Sequence, residues 1–219
     1  MIKRKDGQER KAVLLEVATK VFAEKGFRDT TIADICEDAH SNTASINYYY
    51  GSKNELYAEV WKNAFKNAIE KYPPDMKLLP NATPQERLRA IIQSFLHKML
   101  DSSELGYAGQ ILLMEMTNPT EAVDHIKRDA IDPLHKRLVS ILRELLGEQT
   151  NERDLEFCVM SVIHQCMGFG FRHGKLPPLL STLERDGLVD SLAEHITAFS
   201  LAGIATIKKK KTTLLQQES

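Results

Sequence analysis

A chain of 219 residues, 42% hydrophobic and 27% charged, has the make-up of an ordinary globule with room for a small domain and a larger one. Its formal net charge of −1 excludes attraction of nucleic acid by the molecule as a whole, so any such attraction must come from local positive charge. No apolar run approaches the roughly 18 residues that span a bilayer, and the opening MIKRKDGQER has no apolar core of a secretory signal; a cytoplasmic protein without membrane contact is expected.

Lys3, Arg4, Lys5, Arg10 and Lys11 make the N-terminal arm basic. Two readings of it stay open: an arm that reaches phosphates or the minor groove, or a solubilising tail. Gln8–Lys25 reads as the first helix, with Val13, Val17, Ala18, Val21 and Phe22 on one face and Gly26 as its C-cap. Thr30 is the expected N-cap of a short helix whose apolar face is Ile32, Ala33, Ile35 and Cys36. A turn at His40–Ser41–Asn42 follows Ala39, and a second short helix covers about Thr43–Tyr49. Gly51 stops it, and Ser52 with Glu55 three residues on opens the next helix as a capping box.

Two short helices across a tight turn form a helix-turn-helix, whose second helix enters the DNA major groove. Short polar side chains suit its leading end, and Asn42, Thr43, Ser45 and Asn47 are such residues. Tyr49, Lys53 and the backbone N–H groups after Ser52 suit phosphates. Ile32, Ile35, Ala39, Ile46 and Tyr50 read as core. For Tyr48 the burial habit of aromatics favours packing, with base contact as the alternative.

The residues Thr30, Thr31, Ile35, Ala39, Ile46, Tyr48, Tyr49, Tyr50, Gly51, Ser52, Lys53, Glu55, Leu56 and Tyr57 resemble the DNA-binding signature of TetR-type bacterial regulators. The run from Ala18 to Phe27 is similar to the first helix of that domain. The chain departs from the pattern at Tyr49, where members commonly carry His. The resemblance implies a DNA-facing set of Thr30, Thr31, Asn42, Thr43, Ser45, Asn47, Tyr48, Tyr49 and Lys53. It also implies a helix-turn-helix domain over 1–52 and a helical effector-binding and dimerisation domain over 53–219.

Beyond the motif the chain reads as helices without strands, an all-α architecture. Ser52–Tyr72 is a long helix that ends at Pro73–Pro74 and joins the two domains. Thr83, Pro84 and Glu86 open the next helix, which runs to about Leu100. Leu105–Met116 follows, and then a helix from Pro119 to Leu146 that Pro133 should kink or split. Asn151–Arg172, a loop at Gly174–Pro178, a short helix at Leu179–Arg185 and a last helix at Leu188–Lys208 complete the order. Lys208–Lys211 suits a helix C-terminus.

The last two long helices are apolar on more than one face, and small residues such as Gly168 and Ala198 permit close approach. A homodimer through Cys158, Val162, Cys166, Phe169, Ile196, Phe199, Ala202 and Gly203 is expected; burial of both helices within one chain is the alternative. Embedded polar groups and clustered methionines point to an effector pocket touched by Phe95, Met99, Met114, His125, Leu134, Met160 and His164. Met114 to Leu138 resembles the C-terminal domain of CecR-type regulators within the TetR family, which implies control of export or stress genes.

Cys36, Cys158 and Cys166 form no C-x-x-C and read as small core residues, so neither a disulfide nor a metal site is expected. No G-x-S-x-G, H-E-x-x-H, P-loop or dinucleotide motif occurs, so no enzyme and no cofactor is expected. The combined expectation is a repressor on a palindromic double-stranded DNA operator, released by a small apolar effector. The alternatives are a helical dimeric regulator controlled by a protein partner or lacking a small effector, and a dimeric binding module without DNA affinity.

Overall fold

The computed structural model describes residues 2–121, 127–147, 150–170, 180, 182 and 184–217, and these are helical and connecting segments with no strand among them. The helices are α1 (Ile2–Asp29), α2 (Ile32–Asp38), α3 (Thr43–Tyr50), α4 (Lys53–Lys71), α5 (Pro84–Leu100), α6 (Tyr107–Thr117), α7 (Asp132–Leu146), α8 (Glu152–Gly170) and α9 (Arg185–Gln217). A 3₁₀ turn, Glu104–Gly106, leads into α6, and a π-helical turn, Lys127–Ile131, leads into α7. Pro133 therefore sits in the first turn of α7, where a missing N–H costs little. Gly174–Pro178 lies outside the described residues, as do residues 179, 181 and 183 of the stretch Leu179–Arg185.

The chain forms two compact units, Met1–Glu70 with Asp101–Ile131, and Lys71–Leu100 with Asp132–Ser219. This differs from a division at residue 52. All but the last residue of α4 belongs to the first unit, because Leu56, Tyr57, Val60, Trp61, Ala64, Phe65 and Ala68 are buried along it. Tyr57 meets Phe22 edge-on at 4.8 Å, and Trp61 stacks on Phe65 at 5.2 Å. Helix α6 belongs there too, lying against α1; a Cβ at Gly26 would come 3.2 Å from Met114 Sδ. Gly26 has φ +77° and breaks α1, as a C-cap should. Along α1, Leu14, Ala18, Val21, Phe22 and Ala23 are buried, whereas Val13 is half exposed. The basic arm is the helical start of α1.

In the second unit α5, α7, α8 and α9 share a core that includes Leu88, Ile92, Leu96, Leu142, Val159 and Val189. Against the expectation from apolar runs, Arg185–Lys209 of α9 is long and apolar enough to cross a bilayer. Its Leu188, Val189, Leu192, Ala193, Ile196 and Ile204 lie in this core instead. All three cysteines are buried and outside any disulfide, and burial pushes the Cys166 thiol up to about 12.

One buried group in this unit is charged by nature. Lys98 on α5 is only 7% exposed, and burial brings its ammonium down to about 8 from an ordinary 10.5. Between those values the unfolded chain holds a proton that the folded chain lacks, so stability should rise with pH across that window. Buried tyrosines and Cys166 act in the opposite sense but equally in a Lys98→Met variant. Urea titrations of both proteins from pH 7 to 10.5 should show wild type gaining on Lys98→Met as pH rises. The variant should be the more stable at pH 7, because it buries no charge.

Candidate nucleic-acid interface

Thr31, not Thr30, caps α2. Its hydroxyl accepts from Asp34 N–H at 3.1 Å, and its own N–H donates to Asp34 Oδ2 at 2.7 Å, a closed capping box. Asp34 also pairs with Lys25 at 2.8 Å, and these hydrogen bonds hold its carboxyl well below the usual carboxylate range. Thr30 is fully buried and donates to Gly26 O at 2.7 Å. It therefore supports the turn between α1 and α2 from inside and cannot face DNA, which corrects its place in the expected set.

The turn after α2 is a Schellman motif: Ser41 N–H reaches Cys36 O at 2.9 Å, and His40 N–H reaches Glu37 O at 3.2 Å. His40 occupies the left-handed position, φ +47°, that glycine usually takes. Asn42 then caps α3, accepting from Ser45 N–H at 2.9 Å and from the Ser45 hydroxyl at 3.1 Å. Ser45 is thus tied up at the cap and half-buried. The Asn42 amide group faces outward with its NH2 unengaged by these bonds.

Ile46 and Tyr50, one turn apart, are the buried face of α3. Tyr50 donates its hydroxyl to Lys11 O at 2.6 Å, and the Lys11 ammonium lies 5.1 Å from its ring centre. The opposite face exposes Thr43, Ala44, Asn47 and Tyr48. Tyr48 is 83% exposed, so the packing expected of an aromatic is overturned. Its ring meets Tyr49 edge-on at 5.0 Å. Tyr49 is half-buried, its hydroxyl 3.5 Å from where a Cβ on Gly7 would stand, so the start of α1 flanks α3.

Gly51, φ +79°, ends α3; a side chain there would also collide with Glu55 Oε2 at 2.4 Å. Ser52 accepts from Glu55 N–H at 3.2 Å, and its hydroxyl donates to Glu55 Oε2 at 2.8 Å. That carboxylate occupies the start of α4, where a phosphate was expected. Lys53 is half-buried with its ammonium 4.4 Å from the Phe27 ring centre, and burial lowers its proton affinity. The exposed cluster of Asn42, Thr43, Asn47 and Tyr48, flanked by Tyr49, Lys11 and Lys53, offers hydrogen-bonding side chains to base edges and positive charge to a backbone.

Residues 84–204 match the C-terminal domain of the HTH-type transcriptional dual regulator CecR, and residues 14–60 match the bacterial regulatory proteins of the tetR family. The chain belongs to the TetR family, in its CecR branch. CecR of Shigella flexneri is 27% identical over 184 residues, which cover 80% of this chain and 81% of that protein. A TetR-like regulator from Rhodococcus sp. RHA1 superimposes with a TM-score of 0.63 at 22% identity, over 89% of this chain and 96% of its own. FadR from Bacillus subtilis in complex with stearoyl-CoA gives 0.63 at 17% identity, over 88% and 98%. These relatives are regulators, and this protein is a DNA-binding transcriptional regulator of that family and no enzyme.

The residues expected to hold an effector divide between the two units of this regulator. Met114 lies in the first unit; Phe95, Met99 and Leu134 are half-buried in the second. Met160 and His164 are exposed on α8, and His125 lies outside the described residues. A hollow of about 330 Å³ in the first unit, between α1, α4 and α6, is lined by Glu16, Asn63, Asn67 and Tyr107 and by none of the expected residues.

The expected dimer residues divide. Cys158, Val162, Cys166 and Ile196 are buried in the core of their own chain, and Phe169 is half-buried. Phe199, Ala202 and Gly203 are exposed. Helix α8 carries two stripes; the inward one runs through Leu155, Cys158, Val162 and Cys166, and the outward one is Phe157, Met160, His164 and Gly168.

A residue that the sequence reading left as one embedded polar group supports the head from within. Glu115 on α6 is buried and accepts from the Tyr57 hydroxyl, from Thr120 N–H at 2.8 Å and from the Thr120 hydroxyl at 3.2 Å. Tyr57→Phe should cost about 1–3 kcal/mol of stability, since a buried carboxylate loses a donor. Equilibrium urea unfolding of the single and double variants with Glu115→Gln should show strong non-additivity.

The division of labour on α3 is also testable. Asn47→Ala should relax base preference by about 1–3 kcal/mol at one position of each half-site. Lys53→Gln should weaken all sequences alike and flatten the salt dependence by about one unit. Binding to a panel of single-base operator variants at several salt concentrations separates the two effects; a change of preference with Lys53→Gln but not with Asn47→Ala would reverse the roles.

Proposed function

We propose that this regulator is a cytoplasmic homodimeric repressor that holds an inverted-repeat operator and leaves it when a small effector binds. The exposed polar face of α3 carries the reading: Asn42, Thr43, Asn47 and Tyr48 stand on one side and open to solvent, with the amide oxygen of Asn42 spent on the cap and its NH2 left outward. Two such heads on a two-fold dimer read half-sites whose centres lie about 10 bp apart or a multiple of it.

The dimer reading is supported by the outer faces of α8 and α9. Phe157 is 62% and Phe199 66% exposed, beside Met160, Ala198 and Ala202. Side chains added at Gly168 or Gly203 would meet nothing within 4 Å in this chain. Mid-helix glycine costs roughly 1 kcal/mol against alanine, so its use here suits close approach of a second chain. Effector control draws on the relatives: two structural neighbours were solved with choline and with stearoyl-CoA. A ligand frees the operator only if it binds the released arrangement better.

Selection of bound DNA from random sequence should return inverted repeats. Phe199→Arg should leave a folded monomer by light scattering and weaken operator binding at least tenfold. Recovery of asymmetric sites alone, or a Phe199→Arg protein that stays dimeric, would count against the proposal.

A further inference from the structure

Lysine at a helix surface lays its stem on apolar neighbours and lifts its ammonium into water. Lys98 does not: the whole side chain is buried in the unit built from α5 and α7–α9. A buried ammonium carries a large desolvation cost unless an opposite charge meets it. What the fold supplies is small. Lys98 Nζ donates to Ser94 Oγ at 2.7 Å, and the Ser94 hydroxyl donates in turn to Tyr72 O at 2.8 Å. That uses one of three N–H groups. The last turn of α5 adds a helix dipole of favourable sign, a partial charge where a full one is needed.

Five acids of the unit are engaged elsewhere. Glu144 pairs with Arg87 at 2.5 Å, Glu152 with Arg143 at 2.9 Å, and Asp75 with Arg137 at 3.6 Å. Asp190 accepts from Gln93 at 2.5 Å, and Glu86 is bound to Thr83 at the start of α5. Among the described residues no carboxylate pairs with Lys98, and burial alone sets its proton affinity. Around it the surfaces are apolar or aromatic. Ile91 and Ser94 share its stripe of α5, Phe95 lies one turn before it, and the Tyr72 ring stacks on His97 at 4.7 Å.

We infer that Lys98 anchors the acidic group of the effector, and that the effector is a carboxylate carried on an apolar body. The inference rests on the reading of this regulator as effector-controlled and names the chemical class of that effector. The carboxylate takes the two N–H groups that no described residue takes up, and the apolar body replaces water against the α5 face. Choosing lysine where leucine would pack better gives selectivity: an alcohol or amine of the same length leaves the ammonium without its counter-charge.

Calorimetric titration of full-length wild type and Lys98→Met with octanoate, 1-octanol and octylamine tests this. Octanoate should bind wild type at least tenfold more tightly than 1-octanol, with octylamine weaker still. Lys98→Met should lose that preference while keeping its affinity for 1-octanol, which shows that the variant is folded. The Cε resonance of Lys98 should shift with octanoate and stay with 1-octanol. Equal binding of octanoate and 1-octanol, no binding of either, or a preference that survives Lys98→Met would overturn the assignment. Operator release by octanoate, followed by gel shift, is a separate readout. Lys98-dependent binding with no release would sustain the anchor and sink effector control. Release by 1-octanol equally in both proteins would sustain effector control and sink the anchor.

Discussion

Everything this protein does with DNA depends on holding an eight-residue helix still. An isolated helix of that length is not stable in water, because nucleation costs more than two turns return. Helix α3 is held by two inward side chains, Ile46 and Tyr50, and by its two ends. Asn42 satisfies the first turn, Gly51 lets the chain leave at φ +79°, and the Tyr50 hydroxyl fastens to Lys11 O. With the inner face so committed, the outer face is free of structural duty. That is why Asn47 and Tyr48 can be exposed on a helix that is nonetheless rigid. The exposure of Tyr48 is uneconomical for folding alone, which strengthens its assignment to the outer surface of the complex.

The support extends inward through aromatic rings. Tyr57 of α4 touches both Phe22 and Phe27, each at 4.8 Å, and Phe27 carries the Lys53 ammonium on its face. The Tyr57 hydroxyl ends on Glu115 of α6, and the same carboxylate collects Thr120. A buried carboxylate must be satisfied by several donors at once, so α4, α6 and the turn after α6 are fixed together. Displacing α6 would leave that carboxylate short of a donor. The cost is of the same order as a typical coupling energy between an effector and an operator. The polar contact therefore makes the head sensitive to the position of α6 in a way that an apolar contact would not.

Much of this was legible in the sequence where a local rule decides the outcome. Caps at Ser52 and Thr83, stops at Gly26 and Gly51, and the helix-turn-helix itself follow from residue chemistry within a few positions. Errors came where two local choices were equivalent and tertiary packing broke the tie. Thr30 and Thr31 both suit an N-cap; the burial of one against Gly26 O decides between them. Either of two stripes on α8 could face the core, and the one through Leu155, Cys158, Val162 and Cys166 does. The boundary at residue 52 failed for the same reason. Nothing local reveals that α6, some fifty residues on, completes the core around Tyr57.

Lys98 was invisible for a different reason. A lysine in the last turn of a helix fits dipole complementarity so well that no local rule marks it as unusual. Only burial shows that its ammonium is inside, where among the described residues no carboxylate pairs with it. The outer faces of α8 and α9 pose the same problem with apolar side chains in place of a charge. Phe157, Phe199, Gly168 and Gly203 are as unhelpful to one chain in water as Lys98 is to its core. In each case what the described residues offer is small, the Ser94 hydroxyl for Lys98 and the His195 ring 6.3 Å from that of Phe199, against a cost comparable to a sizeable part of a domain's net stability. On the dimeric, effector-controlled reading proposed above, a second chain would remove the cost on the outer faces and an acidic ligand would remove it at Lys98. The monomer is thus least satisfied at the places where a dimeric, ligand-controlled regulator must meet its partners.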